Sequence, residues 1–214
     1  RDRNNSGPGT FTHNNSTVTF DGGQSQSVTS GSQSFYNLST STSSTALTLQ
    51  DAMVVANDLT IGANSTLDVK VSVNNALSVG GDWSNSGTFE ERSGTVTFNG
   101  SGAQTITTGG TGSTKDFNDI LINNSATPED ATDVETSGSI KVSGTVTVSD
   151  GQFQPATLSD FENITLSATA GIFKVPSSSS ITVSGAWNNS GGSSGSFVAN
   201  SGTVTFDGGS TQTI

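Results

Sequence analysis

Few residues in this chain are equipped for chemistry, and they lie apart. His13 is the only histidine, in a Thr12-His13-Asn14 run beside Phe11, and a lone histidine of this kind is expected to be incidental. Glu90 and Glu91 are adjacent, so a strand would send their carboxylates to opposite faces, where they cannot bracket a glycosidic bond. Glu129, Asp130, Asp133 and Glu135 follow Pro128 and offer hard oxygen ligands to Ca²⁺. Their spacing fits neither an EF-hand nor a calcium-binding β-roll, so a solvated acidic loop is expected there and no cofactor. Thr-x-Thr recurs at Thr17/Thr19, Thr95/Thr97, Thr145/Thr147 and Thr203/Thr205. An ice-binding lattice would need that pair on successive turns of a repeat, and Leu59-Thr60-Ile61, Leu77-Ser78-Val79 and Ile120-Leu121-Ile122 interrupt it. Sequons at Asn15, Asn37, Asn64 and Asn163 permit N-glycosylation in a secreted protein. No nucleophile elbow and no phosphate loop is present. Catalysis is not expected.

Composition narrows the class of partner. Of 214 residues only 12% are charged, the net charge is -11, and Lys and Arg number seven. Nucleic acid and anionic membrane surfaces both need clustered positive charge, so neither is an expected partner. No apolar run approaches the ~20 residues of a membrane-spanning helix. Cysteine is absent, which leaves stability to backbone pairing and packing, without disulfides or thiolate metal sites. The sequence opens on Arg1-Asp2-Arg3 without a secretory leader, as a mature form or an excised segment would.

The elements that position these residues are set by an internal repeat. One block reads Trp83-Ser84-Asn85-Ser86-Gly87-Thr88-Phe89, then Ser93-Gly94-Thr95-Val96-Thr97-Phe98-Asn99-Gly100, then Gln104-Thr105-Ile106. It recurs as Trp187 with Phe197, Phe206 and Gln212, and earlier as Phe11, Phe20 and Gln26, where Arg3 takes the Trp position. Each copy holds a Phe nine residues before the second Phe, a Gln six after it, and Val28, Ile106 or Ile214 two further on. A Phe-x-x-aliphatic element follows at Phe35 and Phe117 and stands also at Phe161. Phe20 and Phe98 are 78 residues apart, Phe98 and Phe206 are 108, and the extra thirty or so residues around Phe161 read as one added turn.

Nearly every apolar pair has period two, as in Val96/Phe98, Ile120/Ile122 and Ile181/Val183, which is the pattern of short strands with one buried face. Asp21-Gly22, Asn99-Gly100 and Asp207-Gly208 follow a strand and are read as turn residues tolerating positive φ. The pairs recur every 17–24 residues along Leu59, Leu77, Val96, Ile120, Ile140, Ile164, Ile181 and Val204, with Trp83 and Trp187 filling one recurring corner. The expected fold is an all-β parallel β-solenoid (β-helix) with coils of that length; tandem β-sandwich domains are the alternative. Residues 1–34 form a partial unit, 35–116 a full one, and 117–214 a longer one with the extra coil that stops mid-repeat, all in one continuous solenoid. Neither end shows a polar cap.

The Trp-x-Asn-Ser-Gly-x-Phe, Gly-Thr-Val-Thr-Phe-(Asp/Asn)-Gly, Gln-x-Ile and Phe-x-x-Leu/Ile stretches resemble repeat modules of large secreted bacterial surface proteins, the filamentous-adhesin and autotransporter type. That resemblance implies a noncatalytic extracellular or cell-surface rod or filament, structural or adhesive. The partners implied are further coils, through end-to-end self-association or a longer chain, and surface glycans. A glycan-binding or polysaccharide-cleaving β-helix is the competing expectation.

Overall fold

The computed structural model describes residues 2–7, 9–42, 44–126, 133–191 and 196–214, with the backbone alone of 168 and 169. The alternating sequence does what its period dictates. In Thr95–Phe98, Val96 and Phe98 turn inward while Thr95 and Thr97 face out, and Leu77–Val79 repeats the pattern. A strand this short buries too few side chains to hold alone, so each is completed by the next coil. The result is a parallel β-solenoid of about nine turns with about 22 residues per coil.

Three strand faces wind around one core. The first face climbs through Thr17–Phe20, Asn37–Thr40, Leu59–Ile61, Trp83–Asn85, Gln104–Thr107 and Val134–Thr136, and then through Phe153, Phe173 and Phe197. The second climbs through Arg3–Asn4, Ser25–Thr29, Ala46–Leu49, Thr66–Asp68 and Thr88–Glu90. It continues where the Phe89 amide donates to the Thr114 carbonyl, then through Phe117, Val142, Phe161, Val183 and Phe206. The third runs from Phe35 through Met53–Val55, Leu77–Val79, Thr95–Phe98 and Asp119–Asn123 to Val146, Ile164 and Trp187. Lys141–Gln154 and Ser159–Lys174 stay extended around the corners, with register shifts at Val142/Thr145 and Val148/Asp150.

The eight positions that the sequence pattern puts on one ladder are shared among the three. Leu59 belongs to the first face, Leu77, Val96, Ile120 and Ile164 to the third, and Ile181 with Val204 to the second. Nor do the two tryptophans mark one recurring corner: Trp83 stands on the first face and Trp187 on the third. The reason is that the sequence repeat and the coil have different lengths. From Phe20 to Phe98 the chain climbs three coils and two further faces; from Phe98 to Phe206 it climbs four coils and two further faces. The second interval exceeds the first by one whole coil, so each copy of the block is turned by a third of a revolution relative to the last.

Phe98 is fully buried and Thr97 lies on the outer side of the same strand. Phe98→Ala is expected to cost about 3–5 kcal/mol and Thr97→Ala no more than about 0.5 kcal/mol. Amide hydrogen exchange of the neighbouring coils is the suitable readout, because a stacked array need not unfold in a single transition.

Candidate functional site

Each block builds an aromatic layer in the core. Trp83 meets Phe89 edge-on at 4.9 Å between ring centroids and Phe98 at 6.3 Å. Trp187 meets Phe197 at 4.8 Å and Phe206 at 6.3 Å, although its block lies on different faces. Phe117 covers the Trp83 layer, 5.2 Å from Trp83, 5.8 Å from Phe89 and 6.2 Å from Phe98. In the first block Arg3 does the work of tryptophan: its guanidinium lies 4.2 Å from the Phe11 centroid and 4.9 Å from that of Phe35. Phe20 and Phe98 are both buried, whereas Phe206 stays 36% exposed, so the three do not share one environment. The last coil has no coil above it among the described residues, and that leaves its ring open.

The repeated glutamine is a corner staple. Gln104 Oε1 accepts the Gly100 amide at 2.9 Å, while Nε2 donates to the Val79 and Gly81 carbonyls of the coil below at 3.0 and 2.7 Å. Gln212 repeats the set with Gly208, Val183 and Gly185, and Gln26 accepts from Gly22. This corrects the reading of the Asp/Asn-Gly pairs. Gly22, Gly100 and Gly208 do not have positive φ; a Cβ on each would stand 2.9 Å from the glutamine Cδ, and on Gly100 and Gly208 it would meet the Gly80 and Ser184 carbonyls of the coil below at 2.5 and 2.0 Å. Positive φ falls instead at Gly23, just past the first pair, and before the Thr-Val-Thr-Phe strand, at Asn14 and Asn15, at Arg92, and at Asn200 and Ser201.

A second device at the corners was not anticipated from the sequence. Asp58 precedes a strand, Asp119 opens one and Asn163 lies within the long Ser159–Lys174 strand, and their Oδ1 atoms accept the amides of Asp82, Thr145 and Ala186 in the next coil at 2.9, 2.7 and 2.9 Å. The residue before each donor is Gly81, Gly144 or Gly185, where a Cβ would approach that Oδ1 to within 2.3–2.4 Å. Gly-x-Trp before both tryptophans was the available signal.

The residues with chemical potential do not converge. His13 accepts the Asn15 amide through Nδ1 and stacks on Tyr36 at 5.6 Å, as a turn former. Glu129 and Asp130 lie outside the described residues. Asp133 is buried and accepts the Gln152 amide at 2.7 Å, while Glu135 faces solvent from the next strand, so the structure does not bring these two together. Among the described residues no group of three or more His, Cys, Asp or Glu is placed to hold a metal ion. Asn37 and Asn163 spend their side chains on neighbouring coils, whereas Asn15 and Asn64 are exposed at corners with positive φ.

Charge gathers along the second face. Arg92 forks onto Asp68 at 3.0–3.1 Å and reaches Glu90 at 3.4 Å; Lys141 pairs with Asp160 at 3.4 Å. Asp116 is buried beside them with Oδ1 unpaired. Burial pushes its carboxyl up to about 6, opposed by Lys141 and assisted by Glu91 and Asp160. Burial also raises Glu91. On the third face, Thr95, Asp119, Ile120, Leu121, Thr145 and Thr147 line a shallow outer hollow of about 450 Å³.

The fold and its corners define a triangular parallel β-solenoid whose repeated residues serve coil stacking. Comparison with family models, curated proteins and solved structures finds no match for this chain.

Two expectations follow from the corners. Gly144→Ala should cost about 1–3 kcal/mol through overpacking against Asp119, and Gly112→Ala, with open space around it, should not, as chemical denaturation would show. The neutral form of Asp116 is favoured in the fold, so its contribution is whole below about pH 4 and is lost as pH rises through about 6. Asp116→Asn should therefore stabilise the protein by on the order of 1–2 kcal/mol at pH 8 and flatten the decline between pH 4 and 6.

Proposed function

We propose that the chain is a noncatalytic extracellular scaffold, a rod on or near the cell surface that spaces, coats or adheres. The observation that carries this reading is how the repeat is used. Its Trp and Phe residues fill the core, its Gln staples successive coils, and the Asx of Phe-x-Asx-aliphatic caps the coil above. What the chain repeats is a stacking device, while the outward positions, rich in Thr and Ser, are free to vary. A rod of this kind can associate end to end through unpaired strand edges. The polar surface, with only 12% of residues charged, suits an exterior habitat. Immunogold labelling of intact source cells, with protease shaving, tests the assignment: label on the surface is expected, and label confined to the cell interior would overturn it.

Glycan binding is the second reading, favoured by the hollow of Thr95, Asp119, Thr145 and Thr147, whose hydroxyls and carboxylate can hydrogen-bond a sugar. A glycan array distinguishes the two, since a pure spacer retains no oligosaccharide and a receptor loses its ligand on Thr147→Val.

A further inference from the structure

Unpaired polar atoms gather in one layer of the core. Four buried side-chain nitrogens or oxygens have no hydrogen-bond partner among the described residues. Three of them, Trp83 Nε1, Asn85 Oδ1 and Asp116 Oδ1, lie where the Trp83–Asn85 strand meets residues 114–117 of the coil above. Buried groups left in this state ask for an explanation, and reactivity is one.

The second face breaks at the same place. Its five-stranded ladder ends at Thr88–Glu90, and pairing resumes at the Phe117–Val142 bridge. The Phe89 amide, donating to the Thr114 carbonyl, is the backbone bond that spans the gap among the described residues.

Lys115 lies inside this corner. Its Nζ donates to the Asn85 carbonyl at 3.4 Å and to the Gly87 carbonyl, while Asn85 Nδ2 donates to the Thr114 carbonyl at 3.4 Å. The lysine and the asparagine thus reach past each other between two coils. Asn85 is buried with its side chain on the inward side of the strand. Lys115 forms no ion pair among the described residues, and burial lowers its pKa, which favours the neutral amine. Filling the corner does not require a lysine. In the first block Gln33 stands two before Phe35, as Lys115 stands two before Phe117, and it serves by accepting the Phe11 amide at 3.2 Å.

We propose that Lys115 and Asn85 join in an isopeptide bond that ties the two coils covalently across the break in the second face. The neutral Lys115 amine attacks Asn85 Cγ; the Nζ–Cγ bond forms, the Cγ–Nδ2 bond breaks, and Nδ2 leaves as ammonia with a proton taken from the amine. No oxidant or other co-reactant is consumed. Holding amine and amide together in one dry corner supplies the proximity that this reaction lacks in water. The tie goes beyond the scaffold reading, since it depends on this corner and not on where the rod is displayed.

Intact-mass spectrometry of the whole chain, followed by tryptic digestion under denaturing conditions, tests it. The folded chain is expected to weigh less than its sequence by one ammonia. Trypsin should fail to cut after Lys115 and should release a branched peptide of residues 71–92 joined to residues 93–141. Lys115→Arg keeps the charge and can still donate to the corner carbonyls but cannot form the link, so it should restore the full mass with hydrogen exchange around Trp83 retained. Asn85→Ala should restore the full mass as well, and the branched peptide of the unaltered chain decides the matter even where a variant does not fold. The proposal is overturned if the chain keeps its full mass after prolonged incubation at mildly alkaline pH. It is also overturned if the lost ammonia maps to a cyclic imide at Asn99-Gly100, where an asparagine can shed ammonia onto its own backbone.

Discussion

Everything in this molecule is fitted to the separation that parallel backbone ladders impose between one coil and the next. At that separation an Asx oxygen on one coil reaches an amide of the coil above, and in three places the residue before that amide is a glycine whose Cβ would crowd the oxygen. Asp58 with Gly81, Asp119 with Gly144 and Asn163 with Gly185 are three solutions of the same geometric problem. The glutamine staple works at the same corners one coil on, where Gln104 and Gln212 donate to the carbonyls of Gly81 and Gly185. Inside, the same separation allows aromatic rings to stack coil upon coil, which is how a chain with so few apolar residues sustains a continuous core.

The tension between block length and coil length shapes the surface. Since each block is turned by a third of a revolution, its Thr-x-Thr pairs fall on different faces: Thr17/Thr19 on the first, Thr95/Thr97 on the third, Thr203/Thr205 on the second. Thr145/Thr147 shares the third face with Thr95/Thr97, but Asp119 and Leu121 separate them. These four Thr-x-Thr pairs therefore never stack on successive coils.

The solenoid was legible because alternation of apolar and polar residues, short strands and a repeat of unequal length together leave little else. The core was legible too: Phe11, Phe35, Phe89, Phe98, Phe117 and Phe161 sit in or against it, and the fixed Phe-to-Gln spacing marked Gln26, Gln104 and Gln212 as special. What each glutamine does was hidden, since its partners lie more than twenty residues back along the chain, on a coil that only the fold places beneath it. Face membership was hidden for the same reason. Period two says that Leu59 and Leu77 point inward and is silent on which ladder each joins. Glycine carries two causes that look alike in sequence, backbone freedom and close approach, and at Gly22, Gly100 and Gly208 the second is the operative one.

The block's rotation also constrains how such a gene can grow. Duplicating a block at its own boundaries adds three coils and two faces, and every residue stays on an inward or outward position appropriate to it. Adding one coil, as between Phe98 and Phe206, leaves that phase untouched. An insertion of a single face would instead carry all later aromatic layers to the wrong neighbours. Recombination in such a sequence is thereby filtered by whole coils, and a binding residue copied with its block reappears pointing a third of the way around the axis. Lengthening this rod would distribute its contacts around the whole circumference, as bristles stand around a stem, and would not concentrate them along one side.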